Sequence, residues 1–196
     1  MSEKKRFVDK GKYYWQFWDH IFVKCPNCSS QALVRQDKSE AKFYAARVSC
    51  VHCGYNESTS STSWKGPVTG IINRKCPYCG RSINKRLKGP KYLKFAHIKC
   101  ECEFEFDEPI DWRPILNDRA MDPFFGLPLW FTDHVLGHNL WAYNREHLKF
   151  LKNVVEAEIR EVKTAYRTLS VSLPKWMLAG KHRAEILKAI DRISKM

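Results

Sequence analysis

The sequence predicts a small α+β protein in which two similar β modules are followed by an aromatic connector and a C-terminal helical hairpin. Three observations predict this class. Eight cysteines fall into two matched halves, the segments around them alternate apolar and polar residues, and the last quarter of the chain changes to a helical period. With 196 residues the chain is long enough for one ordinary domain or two small ones.

The cysteines form four close pairs and none is left over. The pairs are Cys25-x-x-Cys28, Cys50-x-x-Cys53, Cys76-x-x-Cys79 and Cys100-x-Cys102. Each half contains two pairs about twenty residues apart, and the second half repeats the first after about fifty residues. This spacing is typical of a four-cysteine zinc site, in which two turns each supply two thiolates. We therefore predict two tandem zinc-ribbon modules that hold two structural Zn²⁺ ions per chain.

Three alternatives compete with this interpretation. Eight cysteines can form four disulfides, although the absence of a secretory signal argues against an oxidising compartment. The last pair is one residue shorter than the others, so His97 could replace one thiolate. His134 and His138, with Asp133 beside them, could form a metal or catalytic site, although the Leu136-Gly137 step between them suggests a surface turn.

The chain is expected to divide into four consecutive segments. The first zinc ribbon, with an N-terminal strand, is expected at 1–65 and the second, basic zinc ribbon at 66–110. The aromatic connector follows at 111–143 and the helical hairpin at 144–196. Expected strands of the first module are 13–24, 31–35 and 43–49. The polar stretch 56–63 is expected to connect the two modules. Alternation predicts further strands at 92–99 and in the run that follows Cys102.

The connector is expected to be irregular because it contains repeated prolines. Its apolar run, 124–131, is interpreted as core or as a docking seam. Apolar residues at steps of three and four then predict a helix over 144–169, with Asn144 as its N-cap. A second helix is expected over 180–194, and the two helices should pack antiparallel.

Positive charge is concentrated in the second module. The chain has a formal net charge of +13, and nine basic residues without an acidic one lie between Arg74 and Lys99. Tyr78, Tyr92 and Phe95 are interleaved with them. Basic surfaces attract phosphate backbones, and aromatic rings stack on unpaired bases. The predicted nucleic-acid-binding residues are Arg74, Lys75, Arg81, Lys85, Arg86, Lys88, Lys91 and Lys94. The alternative is that these side chains only keep the protein soluble.

The segments CPNC…CVHCGY and CPYCGR…CEC resemble tandem zinc ribbons of the general-transcription-factor IIB type. With them, the runs DPFFGLPLWF…LWAYNREHLKFLKNVVEAEIRE and SLPKWM…KHRAEILKAIDRI are similar to a family of uncharacterised bacterial proteins with this layout. The resemblance implies the ribbon fold and a metal-binding role for the eight cysteines. It does not separate nucleic-acid binding from protein docking, because ribbons of this type do both.

The sequence thus predicts a DNA- or RNA-binding protein that is not an enzyme, since no phosphate-binding loop, nucleophile elbow or H-E-x-x-H motif occurs. The alternative is an adaptor that docks on a protein through the connector and the helices, as in engaging a polymerase, regulating an enzyme or neutralising a toxin. No small-molecule substrate is inferred. No apolar run is long enough to span a bilayer, so a cytoplasmic location without a membrane partner is expected.

Overall fold

A computed structural model describes residues 4–37, 45–59, 68–88, 93–115, 120–161 and 168–196. These residues form small β-sheets and short helices, which confirms a mixed helix and sheet class. The chain divides into two compact units. The first unit is Met1–Ser63 with Asp118–Met196, and the second unit is Trp64–Asn117. No helix among the described residues is long and apolar enough to cross a lipid bilayer.

The first unit contains a continuous four-stranded antiparallel sheet in the order β2-β3-β4-β5. Its strands are β2 (His20–Lys24), β3 (Gln31–Gln36), β4 (Ala46–Ser49) and β5 (Asn56–Thr59). Alternate side chains of these strands are buried, as the period of two requires for a sheet with one covered face. Ile21, Val23, Val34 and Val48 have no exposed surface. The sheet therefore forms one layer of the core of the first unit.

Two expectations for this part of the chain are wrong. The strand expected over 13–24 is limited to β2, because the side chain of Gln16 accepts a hydrogen bond from the Tyr13 amide at 2.8 Å and residues Tyr14–Phe17 form a 3₁₀ helix. The expected linker at 56–63 begins as β5, which pairs with β4. Residues 38–44 and 60–67 lie outside the described residues, and the start of the strand expected over 43–49 falls among them.

The connector is more regular than expected. Its strands β11 (Phe131–Val135) and β12 (His138–Ala142) form a hairpin. Leu136 and Gly137 make the tight turn with positive φ, as the sequence suggested. Asp122 is buried, and its carboxylate accepts hydrogen bonds from the amides of Phe124, Phe125 and Leu127. This local turn replaces the helix or strand that the prolines prevent.

The apolar run of the connector belongs to the core. Phe124, Phe125, Leu129 and Phe131 are at most 2% exposed. The segment covers the free edge of β2, because the Lys24 amide donates to the Pro128 carbonyl at 2.8 Å and the Trp130 amide donates to the Phe22 carbonyl at 2.8 Å. The core interpretation of this run is confirmed, and these four side chains are not available as a docking seam.

The C-terminal helices are α1 (Arg145–Glu156), α2 (Leu169–Ser172), α3 (Lys175–Leu178) and α4 (Arg183–Ile193). Asn144 is the N-cap of α1, since its side chain accepts from the His147 amide at 2.9 Å. Helices α1 and α4 are antiparallel, as expected, because Arg145 bonds the Ser194 carbonyl at one end and Arg183 bonds the Val155 carbonyl at the other.

The helix expected over 144–169 is wrong beyond Glu156. Residues Ile159–Glu161 form β13, which pairs in parallel with β1 (Arg6–Val8), while 162–167 lie outside the described residues. The carbonyls at the C-terminal end of α1 are capped by two arginines. Arg160 donates to Val154 at 2.8 Å, and Arg183 donates to Val155 at 3.0 Å and to Ala157 at 3.1 Å. These donors satisfy carbonyls that a longer helix would have paired.

The second unit contains two separate antiparallel sheets. One has the order β10-β6-β7, and the other is the pair β8-β9. Its strands are β6 (Val68–Lys75), β7 (Ser82–Leu87), β8 (Phe95–Lys99), β9 (Glu105–Pro109) and β10 (Asp111–Pro114). The division into units differs from the predicted boundaries. The start of the connector belongs to the second unit, where β10 pairs with β6, and the connector from Asp118 onward belongs to the first unit.

Candidate metal centres and cationic surface

The eight cysteines form two clusters of four free thiols. The first cysteine cluster is Cys25, Cys28, Cys50 and Cys53, and the second cysteine cluster is Cys76, Cys79, Cys100 and Cys102. Within each cluster the four sulfur atoms lie within 4.8 Å of one another. The predicted grouping of the eight cysteines into two sets of four is therefore confirmed.

Each cysteine pair lies on a tight turn between two antiparallel strands. In the first three turns, the amide of the first cysteine bonds the carbonyl five residues later, and its carbonyl accepts from the amide four residues later. An example is Cys76, whose amide donates to Arg81 at 2.8 Å and whose carbonyl accepts from Gly80 at 3.0 Å. In the fourth turn both bonds are one residue shorter, since Cys100 bonds Phe104 and Glu103. The C-x-C spacing is thus a compact version of the same turn.

All four turns end on a residue with left-handed backbone geometry. These residues are Ser29 (φ 60°), Gly54 (φ 73°), Gly80 (φ 71°) and Glu103 (φ 67°). Glycine adopts this conformation without steric cost, whereas Ser29 and Glu103 adopt it with a β-carbon present. The common positive φ shows that all four turns end with the same backbone conformation.

The sulfur–sulfur distances fit a tetrahedral metal ion. The Cys25–Cys53 and Cys28–Cys50 sulfur atoms are 3.6 and 3.7 Å apart, and those of Cys76–Cys102 and Cys79–Cys100 are 3.8 and 3.7 Å apart. A regular tetrahedron with metal–sulfur bonds of about 2.3 Å has an edge of about 3.8 Å. Disulfide sulfurs would be about 2.0 Å apart, so the disulfide alternative does not fit.

The thiols within each cluster differ in pKa, as expected for ionisable groups in close contact. A hydrogen bond from the Ser30 amide lowers the pKa of Cys28 to about 6, whereas burial raises the pKa of Cys25 to about 11. In the second cluster, a hydrogen bond from the Cys79 amide lowers the pKa of Cys76 to about 7. A bound cation would relieve the repulsion and allow all four thiols to ionise.

His97 does not replace a cysteine. Its Nδ1 lies 3.0 Å from an Asp107 carboxylate oxygen and its Nε2 lies 3.3 Å from a Glu105 oxygen. The hydrogen bonds to Asp107 and Glu105 raise the pKa of His97. Cys102 therefore remains the fourth ligand candidate of the second cluster.

His134 and His138 do not form a metal group with other described residues. His134 is exposed and its Nδ1 lies 3.2 Å from the Asn139 side-chain oxygen, while His138 stacks on Trp176 with ring centroids 4.6 Å apart. Asp133 pairs with Arg192 at 2.9 Å instead of orienting either ring. The arrangement that a histidine site needs is not present here.

The run of basic residues is divided between the two sheets of the second unit. Strands β6 and β7 contain no acidic residue, whereas β8 is paired with the acidic strand β9. Arg74 pairs with Glu108 at 2.8 Å, Arg81 pairs with Glu101, and Lys99 lies 3.4 Å from Glu105. The acidic partners follow the basic run in sequence, so a window ending at Lys99 misses them.

Five of the predicted nucleic-acid-binding residues are exposed and have no ion-pair partner among the described residues: Lys75, Lys85, Arg86, Lys88 and Lys94. Lys91 lies outside the described residues. On the outer face of the sheet, cross-strand pairs align Lys75 with Ser82, Asn73 with Asn84, and Ile71 with Arg86. We call this side of β6 and β7 the cationic face.

Comparison of the chain with protein-family models, with curated proteins and with solved structures finds no match. The two cysteine clusters and the cationic face are therefore the features from which a function can be inferred.

Proposed function

We propose that each cysteine cluster holds one structural zinc ion in a ribbon-like module, giving two zinc ions per chain. The support is the four thiols of each cluster, which come from two β turns and lie at the edge lengths of a tetrahedron. Four thiolates fill the coordination shell of zinc and leave no position for water or substrate. The metal would then stabilise the fold and take no part in a reaction.

The metal proposal is tested by elemental analysis of purified, reduced protein together with thiol titration. We expect two zinc atoms per chain and eight thiols that react only after the metal is removed. Tetrahedral four-thiolate sites also accept iron, so the visible absorption spectrum should be recorded on the same sample. A metal content far below two, or iron as the main metal, would contradict the proposal.

We further propose that the second unit binds nucleic acid through the cationic face, without catalysis. The observation that carries this proposal is the separation of charge. Carboxylates neutralise Arg74, Arg81 and Lys99, while Lys75 and Arg86 project from strands that contain no acid. Such cations release counterions from phosphate groups when they bind. The amides of Asn73 and Asn84 between them offer further hydrogen bonds.

An exposed aromatic pair lies on the cysteine turns of the same unit. Tyr78 is 76% exposed and stacks on Phe104, with ring centroids 5.7 Å apart and an interplanar angle of 13°. A water-exposed aromatic ring offers a stacking surface for an unpaired base. We therefore propose that single-stranded DNA or RNA is preferred over a duplex.

The nucleic-acid proposal is tested with the full chain by salt-titrated binding to single-stranded DNA, single-stranded RNA and duplex DNA. The double variant Lys75→Ala with Arg86→Ala should bind roughly tenfold more weakly and should flatten the salt slope by about two. Tyr78→Ala should weaken binding to single strands more than binding to the duplex.

A matched control is Lys149→Ala with Lys195→Ala, which removes the same charge from two exposed lysines of the first unit. This control should keep the wild-type salt slope. If it loses as much affinity as the test variant, only net charge matters and the cationic face has no role. A salt-insensitive protein partner recovered by pull-down, with no nucleic-acid binding, would favour the adaptor alternative.

A further inference from the structure

A cavity of about 350 Å³ lies in the first unit, lined by residues of the N-terminal segment 5–12 and of α1. Small-molecule sites in proteins typically have this size. Phe7, Val8 and Phe150 form an apolar part of the lining. The described lining also contains four basic side chains and one carboxylate, so the cavity combines an apolar wall with an excess of positive charge.

Two of the four basic side chains are neutralised by carboxylates of the same unit. Lys5 pairs with Glu156, which is the carboxylate of the lining. Arg6 pairs with Glu161 at 2.8 Å. An anion that enters the cavity therefore finds its ionic partners in the other two basic residues.

These two residues are Lys10 and Lys12. Both are exposed, and neither forms an ion pair with any residue that the structure describes. The carboxylate nearest to them in sequence, Asp9, is buried and accepts hydrogen bonds from the hydroxyls of Thr168 and Ser170. The ammonium groups of Lys10 and Lys12 are thus the cations with which the carboxylate or phosphate group of a ligand can pair.

The backbone between these lysines is held at both ends. The Asp9 amide donates to the Glu161 carbonyl at 3.0 Å, and the Leu169 amide donates to the Lys12 carbonyl at 2.7 Å. Between them, Gly11 has a φ of 75° and its amide donates to the Asp9 carboxylate at 2.8 Å. The two lysines are therefore placed beside the cavity before a ligand binds, which reduces the entropic cost of binding.

The apolar wall is aromatic and lies close to one of the ammonium groups. The rings of Phe7 and Phe150 meet edge to face with centroids 5.6 Å apart, and both are partly exposed. Phe17 lies 5.8 Å from Phe150, and Nζ of Lys12 lies 5.3 Å from the Phe17 ring centroid. Aromatic rings favour edge-to-face and offset contacts with one another. A third ring that carries an anionic group directly on it fits this arrangement.

We propose that this cavity binds a small aromatic anion, with its ring against Phe7 and Phe150 and its carboxylate or phosphate group beside Lys10 and Lys12. None of the described lining residues belongs to a cysteine cluster or to the cationic face. The site is therefore separate from the proposed zinc and nucleic-acid sites. It adds a small-molecule ligand, which the sequence did not predict.

The test compares benzoate with benzamide by NMR titration of the full wild-type chain, at constant low ionic strength. The two probes have the same shape, but only benzoate carries a charge. The readout is the methyl signals of Val8, which is 40% exposed and lines the cavity. We expect benzoate to shift them with a Kd below about 5 mM and to bind about fivefold more tightly than benzamide. Added salt should reduce this difference. Equal affinities, or no saturable shift at Val8 with benzoate, would overturn the proposal.

Two further probes test the ring and identify the anionic group. Acetate at the same concentration should not displace benzoate, and displacement would overturn the role assigned to the aromatic wall. Phenyl phosphate should compete with benzoate for the same site, and failure to compete would exclude a phosphate ligand and leave the carboxylate. Tighter binding of phenyl phosphate than of benzoate would support a phosphate ester as the ligand.

The variant Lys10→Gln with Lys12→Gln tests the assigned cations. It should bind benzoate no more tightly than benzamide and should bind benzamide as the wild type does. The matched control, Lys175→Gln with Lys181→Gln, removes two exposed lysines of the same unit that are not among the described lining residues. This control should keep the preference for benzoate. An equal loss in both variants would show that only net charge matters and would overturn the proposal.

Discussion

The two cysteine clusters have the same local geometry but lie in sheets of different continuity. In the first unit, β3 pairs with β4, so the two cysteine turns are joined by one four-stranded sheet. In the second unit, the corresponding strands β7 and β8 belong to different sheets. One repeated sequence pattern thus produces two modules of different sheet continuity, and we expect them to depend on the proposed metal ions to different degrees.

The fully buried core of the second unit is small. Its buried cluster contains three aliphatic side chains, Ile72, Ile83 and Ile98, with Cys76 and Cys100. Two of the four cysteines of the second cysteine cluster are therefore part of this core. Small modules with so few buried apolar residues rarely gain enough stability from their core alone.

Metal removal should therefore give the largest difference between the modules. Structural zinc supplies about 10–16 kcal/mol of apparent binding free energy in small modules. With a chelator, we expect β6 to β10 to lose amide hydrogen-exchange protection completely. Strands β2 to β4 should keep part of theirs, because Ile21, Val34 and Val48 are fully buried in a continuous sheet. Hydrogen exchange detected by mass spectrometry measures the protection of both sets of strands.

Matched substitutions separate the two sites. Cys28 and Cys79 are each the second cysteine of the first turn in their cluster. Cys79→Ser should unfold the second unit, whereas Cys28→Ser should leave measurable protection in β2 and β3. Equal loss of protection in both units would show that continuity of the sheet does not matter.

A single methyl group should disturb the small core of the second unit. A β-carbon at Gly70 would lie 2.6 Å from Ile110 Cγ2, 3.2 Å from the Trp112 ring and 3.3 Å from Leu87 Cβ. Because three neighbours would have to move together, Gly70→Ala should reduce the free energy of unfolding of this unit by about 1–3 kcal/mol. Denaturant unfolding followed by hydrogen exchange measures the change.

The control for this substitution is Gly180→Ala in the first unit. A β-carbon there meets no atom within 4 Å, and its φ is not in the left-handed region. Its effect should stay within about 0.5 kcal/mol, as for most exposed positions. If both substitutions cost the same, tight packing at Gly70 is not the cause.

The cysteine turns provide a smaller effect that should be equal in the two modules. Gly54 and Gly80 have positive φ and open space around them, so alanine adds only conformational strain. Each substitution should cost about 1–2 kcal/mol. The reverse changes, Ser29→Gly and Glu103→Gly, should stabilise by up to about 1 kcal/mol. Thermal unfolding of metal-loaded protein measures all four, and a destabilised Glu103→Gly variant would contradict the shared turn geometry.

The two cysteine clusters were predictable because a close cysteine pair determines its own turn. Spacing alone placed all eight thiols in the correct clusters, since each turn depends only on residues within five positions. The continuity of the sheets was not predictable in this way. Whether β7 pairs with β8 depends on contacts made by distant residues, and the alternation of the strands is similar in both modules.

The end of α1 shows the same limitation. Apolar spacing continues to Leu169 without a proline or glycine, yet the helix stops at Glu156. One of the donors that caps it, Arg183, is 28 residues away from the carbonyl it bonds. The basic run shows the same limitation, because the carboxylates that pair with Arg74 and Lys99 come from β9 and the one that pairs with Arg81 comes from the fourth cysteine turn. A local sequence pattern identifies the residues of one element, whereas the residues that cap or neutralise it can come from distant parts of the chain.

His97 provides the smallest effect and is specific to the second module. The outer side of β8 and β9 contains Glu105 and Asp107 opposite His97 and Lys99, whereas the corresponding strand of the first module, β5, contains Glu57 as its only acid. The hydrogen bonds to Asp107 and Glu105 raise the pKa of His97. The interaction therefore stabilises the folded unit below the unfolded pKa of about 6.5 and is lost as pH rises through the folded value.

NMR titration of the His97 ring tests this contribution directly. Asp107→Asn should lower the pKa of His97, and Glu105→Gln should lower it less, because Asp107 makes the shorter contact at 3.0 Å against 3.3 Å. The thermal midpoint of the second unit should fall slightly between pH 6 and 8 in the wild type, and this fall should be smaller in Asp107→Asn. An unchanged His97 pKa in both variants would show that the two carboxylates do not raise it. The acidic strand would then serve only to neutralise the neighbouring lysine and arginine side chains.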